Sequence, residues 1–342
     1  MIHEGREATT TVALPRSLQL EPVGRRMIAR RLSDVTMRVD GARGGPPGFL
    51  SYDAFVRLLD ELSGLEELRL QGDGEPLAHP RFFDMVRHAA ERGIAVSSTS
   101  RLQVFNHRLA EDCVRSGLRA LHVPLDAAGT REYDFSRRGA RHERLLRHLR
   151  WLAAAKKVQA SATPRITLGA VAMRRNLDGL AQAVRLAHDN GADGVVAQYL
   201  ESFVDSSGVS PAHQRIRKFV ESEALGPDDA ASVQACFSDA GALARDLGVD
   251  LRVPALPGGE GRHAGCAWPW HASYITFSGV ARSCNLSARD PGHEFGNVLK
   301  EGFARVWQGE AYRSFRERHL SGELPALCAQ CAHAGGVPAV AA

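Results

Sequence analysis

Cys266, Cys284, Cys328 and Cys331 are four of the six cysteines in a chain of 342 residues, spaced C-x17-C-x43-C-x2-C in its last quarter. Four thiolates from two distant segments, one of them a C-x-x-C, make a closed site for an iron–sulfur cluster or a zinc ion. Zinc keeps its place because all-thiolate sites with one C-x-x-C are common structural zinc sites. Trp268, Trp270, Tyr274 and Phe277 lie near Cys266 and would supply an apolar shell, or simply a core. His333, two residues past Cys331, reads as a surface residue. Cys113 and Cys236 read as small buried hydrophobes. No cysteine precedes residue 113.

A second chemical feature is Gln71-Gly72-Asp73-Gly74-Glu75-Pro76. Glycines let a ligand approach the backbone, and a glutamate at a strand's end can accept hydrogen bonds from an ammonium group. The same residues also suit a tight strand-to-helix turn. The arginines between Arg137 and Arg150 read as a solvated helix face in preference to a phosphate-binding strip.

The elements that must position these groups alternate strand and helix from about residue 34 to about 253. Expected strands are Val35–Val39, Leu65–Leu70, Gly93–Ser97, Leu118–Val123, Ile166–Val171 and Gly191–Gln198. Ser51 caps a helix from Tyr52 to Leu62, Pro80 opens one to Glu91, and another surrounds His107–Ser116. The arginine-rich helix runs to about Lys157, and Asn176 caps a helix to Asn190. Strands separated by such helices need right-handed crossovers and a parallel sheet, with the active site at the strands' C-terminal ends. The expectation is an α/β fold, a partial (β/α)6 TIM-like barrel. Pro254–Gly265 is a glycine- and proline-rich linker. Beyond it, His271–Phe277 and Val280–Cys284 form a hairpin, and a helix covers Phe303–His319. The implied domains are an extension over 1–33, the barrel over 34–253, a linker over 254–265 and a metal-binding domain over 266–342.

Hydrophobic content of 44% and charged content of 24% are those of a soluble globular protein. A formal charge of +4 gives no footprint for nucleic acid or a membrane surface. No apolar run approaches a membrane span, and Met1 to Ser17 carries no signal-peptide pattern. With disulfides improbable, a reducing cytoplasm is the expected location.

The turn at Gln71–Pro76 resembles the Gly-Gly-Glu-Pro motif of radical S-adenosylmethionine (SAM) enzymes. Leu65–Pro80, Gly191–Val196 and the run from Phe295 to Cys331 are similar to members with a C-terminal SPASM or twitch domain. Cys266, Gly279 and Cys284 match that domain's opening motif. The resemblance implies that Gly72, Gly74, Glu75 and Pro76 hold the amino-acid part of SAM. It also implies that Cys266, Cys284, Cys328 and Cys331 bind one auxiliary [4Fe-4S] cluster.

The family's C-x3-C-x2-C, in the loop after the first strand, is missing. The corresponding Asp40–Phe49 has no thiol or imidazole, so no site-differentiated cluster can form there and no 5′-deoxyadenosyl radical is expected. Thr99-Ser100-Arg101 stands where relatives carry Thr-Asn-Gly, and Pro124 stands where they often carry Ser. Arg101, His122 and Asp126 become candidates for polar catalysis at the barrel mouth, with Arg101 as an exposed loop charge the alternative. The expected function is tailoring of a peptide or small-molecule metabolite, with SAM still a candidate ligand. The alternative is a non-catalytic or electron-relay partner of an active radical SAM enzyme.

Overall fold

The computed structural model describes residues 12–24, 48–125, 142–200, 211–257, 266–287, 291–329 and 331. Its strands and main helices, in chain order, are β1 (Ser17–Leu20), α1 (Tyr52–Asp60), β2 (Glu67–Leu70), α2 (Phe82–Glu91), β3 (Ala95–Thr99), α3 (His107–Arg115), β4 (Ala120–Pro124) and α4 (His142–Val158). Then follow β5 (Arg165–Ala172), α5 (Leu180–Asp189), β6 (Gly194–Tyr199), α6 (Pro211–Glu223), α7 (Ala230–Leu247) and β7 (Asp250–Arg252). Past the linker come β8 (Ala272–Ile275), β9 (Val280–Arg282), β10 (Glu294–Asn297), α8 (Phe303–Trp307) and α9 (Glu310–Ser321).

One sheet holds all ten strands in the order β10-β9-β8-β1-β2-β3-β4-β5-β6-β7. β1 to β7 are parallel, as crossover helices require. β8 joins them parallel to β1, while β9 and β10 add antiparallel pairs. Strand alternation sorts the side chains. Leu18, Leu20, Leu68, Leu70, Val96, Leu121, Val123, Ile166, Leu168 and Val195 are fully buried in a core with Phe55, Leu58, Met85 and Leu149 of the helices. The opposite, inner face carries polar groups. In register across it lie Gln19, Arg69 and Ser97, and above them Thr99, His122 and Thr167.

Most expected elements stand within a few residues of their sequence-derived bounds. The Ser51 hydroxyl accepts from Ala54 N at 3.1 Å, so that cap holds. Four expectations change. The first described strand is Ser17–Leu20, central in the sheet, so the stretch read as an extension contributes to the fold; Val35–Val39 lies outside the described residues. Pro80 precedes the helix, because His79 Nδ1 accepts from Arg81 N at 3.0 Å and holds a turn that delays helix onset to Phe82. Asn176 sits inside a 3-10 turn (Arg174–Gly179), accepting from Met173 N and donating to Val171 O. Phe303–His319 is two helices, parted where Gly309 is extended at ψ 162°.

Candidate functional site

The sheet's C-terminal edge carries the turn after β2. Its glycines face the chain's own side chains. A Cβ on Gly72 would lie 2.3 Å from Glu21 Cγ and 2.5 Å from its Oε1, and one on Gly74 would lie 2.7 Å from Val23 Cβ. Glu21 leaves β1 buried, accepting from Asp73 N at 2.8 Å and from Phe277 N at 3.3 Å. The Tyr274 hydroxyl donates to it as well, yet burial outweighs these donors and pushes its carboxyl up. Phe277 follows β8 and lays its ring on Gly24 and Gly48, each of whose Cβ would fall 2.1 Å from it. Pro76 is buried and opens a 3-10 turn.

Glu75 is 1% exposed. Its Oε1 accepts from Ser100 Oγ at 2.6 Å and its Oε2 from Arg101 N at 3.1 Å. Thus the β2 turn is bolted to the β3 turn. Ser100 Oγ also accepts from Leu102 N at 2.9 Å, and Leu102 takes a left-handed φ of 52°. His148 on α4 donates from Nδ1 to Leu102 O at 2.6 Å, and burial lowers its pKa and keeps it neutral. His79 is likewise neutral through burial, with Nε2 donating to Leu50 O at 2.8 Å.

Arg101 is not an exposed loop charge; it is 4% exposed. Its backbone lies beside β4, since Ser100 N donates to His122 O at 3.0 Å. His122 Nδ1 stands 3.2 Å from Thr167 Oγ1, and its ring lies over Gly169, where a Cβ would fall 2.2 Å from Nε2. His122 therefore lies against β5 on the inner face. Asp126 lies outside the described residues, as do Asp40–Pro47, which the sequence reading took as most of the loop after the first strand.

In the C-terminal part, Cys266 precedes the β8–β9 hairpin and Cys284 follows it. Ser287 Oγ donates to Cys284 O at 2.8 Å and accepts from Cys284 N at 3.2 Å, closing that turn. Cys331 N donates to Cys328 O at 3.2 Å. The four thiols are near enough to influence one another's charge. Cys328 is pushed up to about 12 by burial and by Cys284, Cys266 and Cys331 together, and Cys266 is raised by burial and Cys284. Among the described residues no three His, Cys, Asp or Glu side chains are gathered tightly enough to hold a metal ion as they stand. The donor set still fits one: four half-buried thiols whose ionised forms repel each other are what a cationic centre would relieve.

A model of the radical SAM superfamily matches residues 30–196, and one of the SPASM iron–sulfur cluster-binding domain matches residues 266–332. The chain carries a radical SAM domain followed by a SPASM domain. Its SPASM match contains all four clustered cysteines.

The AdoMet-dependent heme synthase of Methanosarcina barkeri is 23% identical over 84% of this chain and 80% of its own length. The PqqA peptide cyclase of Rhodopseudomonas palustris is 26% identical over 85% and 72%. A tungsten-containing aldehyde ferredoxin oxidoreductase cofactor-modifying protein of Pyrococcus furiosus is 30% identical, but the match spans only 24% of each chain. Streptococcus suis SuiB bound to its precursor peptide SuiA superposes with TM-score 0.69 at 13% identity, over 96% of this radical SAM chain and 73% of SuiB. Native anSMEcpe with bound AdoMet gives 0.63 at 11% identity, over 87% and 82%. These likenesses fix the fold, and radical SAM and SPASM domains imply iron–sulfur clusters and SAM binding. No helix among the described residues is long and apolar enough to cross a membrane.

Sequence reasoning missed Glu21 and His148; it met Ser100 only as a departure from the family and Phe277 only as an apolar neighbour of Cys266. Glu21 directly follows an alternating stretch, Leu18-Gln19-Leu20, which was the available signal.

Proposed function

We propose that this chain is a degenerate radical SAM tailoring protein of the cytoplasm that acts on a peptide or small metabolite without generating a 5′-deoxyadenosyl radical. The carrying observation is the absence of cysteine before Cys113. β1, the segment after it, β2 and β3 thus offer no thiolate for a cluster with an open iron. In this reading the mouth of the barrel retains SAM as a ligand beside Glu75, with Gly72, Gly74 and Pro76 shaping the turn. The chemistry is polar. His122 carries a proton, Arg101 supplies fixed positive charge because guanidinium does not deprotonate, and Asp126 completes the set. A peptide substrate is supported by the names of two relatives, a PqqA peptide cyclase and SuiB with SuiA.

Cys266, Cys284, Cys328 and Cys331 would hold one twitch-type [4Fe-4S] cluster, or less favourably zinc. Bound there, such a group supplies electron transfer or a cross-link between the β8–β9 hairpin and the terminal C-x-x-C. A second reading, a non-catalytic or electron-relay partner of an active radical SAM enzyme, is favoured by the covering of Gly72 and Gly74 by Glu21 and Val23.

Anaerobically reconstituted protein should contain about four irons per chain, as one cubane requires. With dithionite and SAM it should release no 5′-deoxyadenosine; release by this polypeptide alone overturns the proposal. Calorimetry with SAM separates the readings. Binding that Glu75→Gln abolishes supports the enzyme, whereas absent binding with co-purification of a second protein supports the partner.

A further inference from the structure

In the turn after β3, Ser100 Oγ, Arg101 N and Leu102 N are hydrogen-bonded, while donors of two side chains are not. Among the described residues, Arg101 Nε and Nη1 and Gln103 Nε2 are buried without a hydrogen-bond partner. All three are donors. A guanidinium stays charged at any pH a protein meets, and a buried charge is paired in nearly every native structure. An arginine on a free loop would swing its head into water. Arg101 is held from doing so. Its own N–H is tied to Glu75, Ser100 is tied to both Glu75 and Leu102 N, and His148 holds Leu102 O. Leu102 is kept at φ 52°, a conformation a leucine adopts only when its surroundings impose it. The fold thus imposes backbone strain next to an unmatched cation, at the C-terminal edge of a parallel sheet where ligands bind.

We propose that the Ser100–Gln103 turn is a carboxylate-recognition site, in which Arg101, aided by Gln103, pairs with the carboxylate of the ligand at the barrel mouth. Carboxylate fits better than phosphate because Glu75, whose oxygens accept from Ser100 Oγ and Arg101 N, would repel a dianion more strongly than a monoanion. The inference rests on a ligand occupying this mouth. It does not depend on whether radical chemistry is lost. The carboxylate comes either from SAM or from the second substrate, such as an acidic side chain of a peptide.

The test uses the full chain, purified anaerobically, with calorimetry and thermal melting as readouts. If the carboxylate is that of SAM, the wild type binds SAM about tenfold or more tightly than decarboxylated SAM, as a charge-assisted pair provides. Arg101→Gln then binds both alike. If wild type treats the two alike, or binds neither, a short peptide containing glutamate should raise its melting temperature more than the glutamine counterpart. Arg101→Gln should again erase the difference. Failure of both comparisons, or discrimination that survives in Arg101→Gln, overturns the proposal. Arg101→Met provides the folding control. A cation kept for a ligand has no partner to lose, so the ligand-free variant melts no lower than wild type; a clear drop marks Arg101 as structural and overturns the site.

Discussion

A methyl group at position 72 would collide with the Glu21 side chain, not with open solvent. Glu21 cannot easily retreat, because its oxygens are engaged by Asp73 N and Phe277 N. Gly72→Ala should therefore destabilise the fold by about 1–3 kcal/mol, the range for overpacking a filled site. Combining it with Glu21→Ala should cost less than the two changes summed, since the second removes the obstacle to the first. Urea denaturation of the four proteins in the cycle measures this. Strict additivity would show that Gly72 serves something other than Glu21. The residue types in Gln71–Pro76 made the turn recognisable, but the reason for its glycines was not readable. Glu21 lies 52 residues before Asp73, just after a strand the local pattern did not identify. Arg101 was readable as a departure from the family and not as a buried charge, because its turn is set by partners far away in sequence, Glu75 on Arg101 N and His148 on Leu102 O.

At the scale of elements, α4 holds the β3 turn through His148. Burial first, then Arg147 and Arg144 on the same helix, lower the His148 pKa, while its bond to Leu102 O opposes them; His79 is lowered in the same direction. Both histidines bind a proton more weakly folded than unfolded. The unfolded chain therefore takes up protons first as pH falls through about 6.5, the ordinary histidine value. Stability is full above that pH and declines as pH falls toward the folded values. Denaturation midpoints from about pH 8 to 5 should show this decline, and His148→Gln should flatten it. An unchanged slope in the variant would remove His148 from the account. The helices and strands β2 to β6 were legible because their periodicities are strong and local. β1 was not: Ser17–Leu20 is four residues long, and its place in the sheet comes from pairing with β2 and β8, which lie about 50 and 255 residues further along the chain. The break at Gly309 was missed because the apolar pattern continues through it.

At the scale of the molecule, the cysteine-bearing part shares a sheet with the barrel. β8 pairs with β1 along its whole length, and the Phe277 ring lies against Gly24 and Gly48. Trp307 Nε1 donates to Ala13 O at 2.9 Å and Phe303 N to Glu61 Oε2 at 2.5 Å, so α8 is fastened to both the start of the chain and the end of α1. The linker composition signalled a boundary in sequence; it carried no signal of this return pairing, which joins residues more than 250 positions apart. Cys266 and Cys284 bracket the hairpin that makes the joint, so a metal bound there is expected to stabilise the barrel as well. A ligand present at a thousand times its dissociation constant adds about 4 kcal/mol to a single cooperative unit. Cys284→Ala, or chelation of the reconstituted protein, should then lower one common melting transition and speed amide exchange in β1 and β2. Two separate transitions, with β1 and β2 exchange untouched, would show that the shared sheet does not carry the coupling. The common transition is expected because β1, whose strand order places it between β8 and β2, cannot be lost without parting the two halves of the sheet.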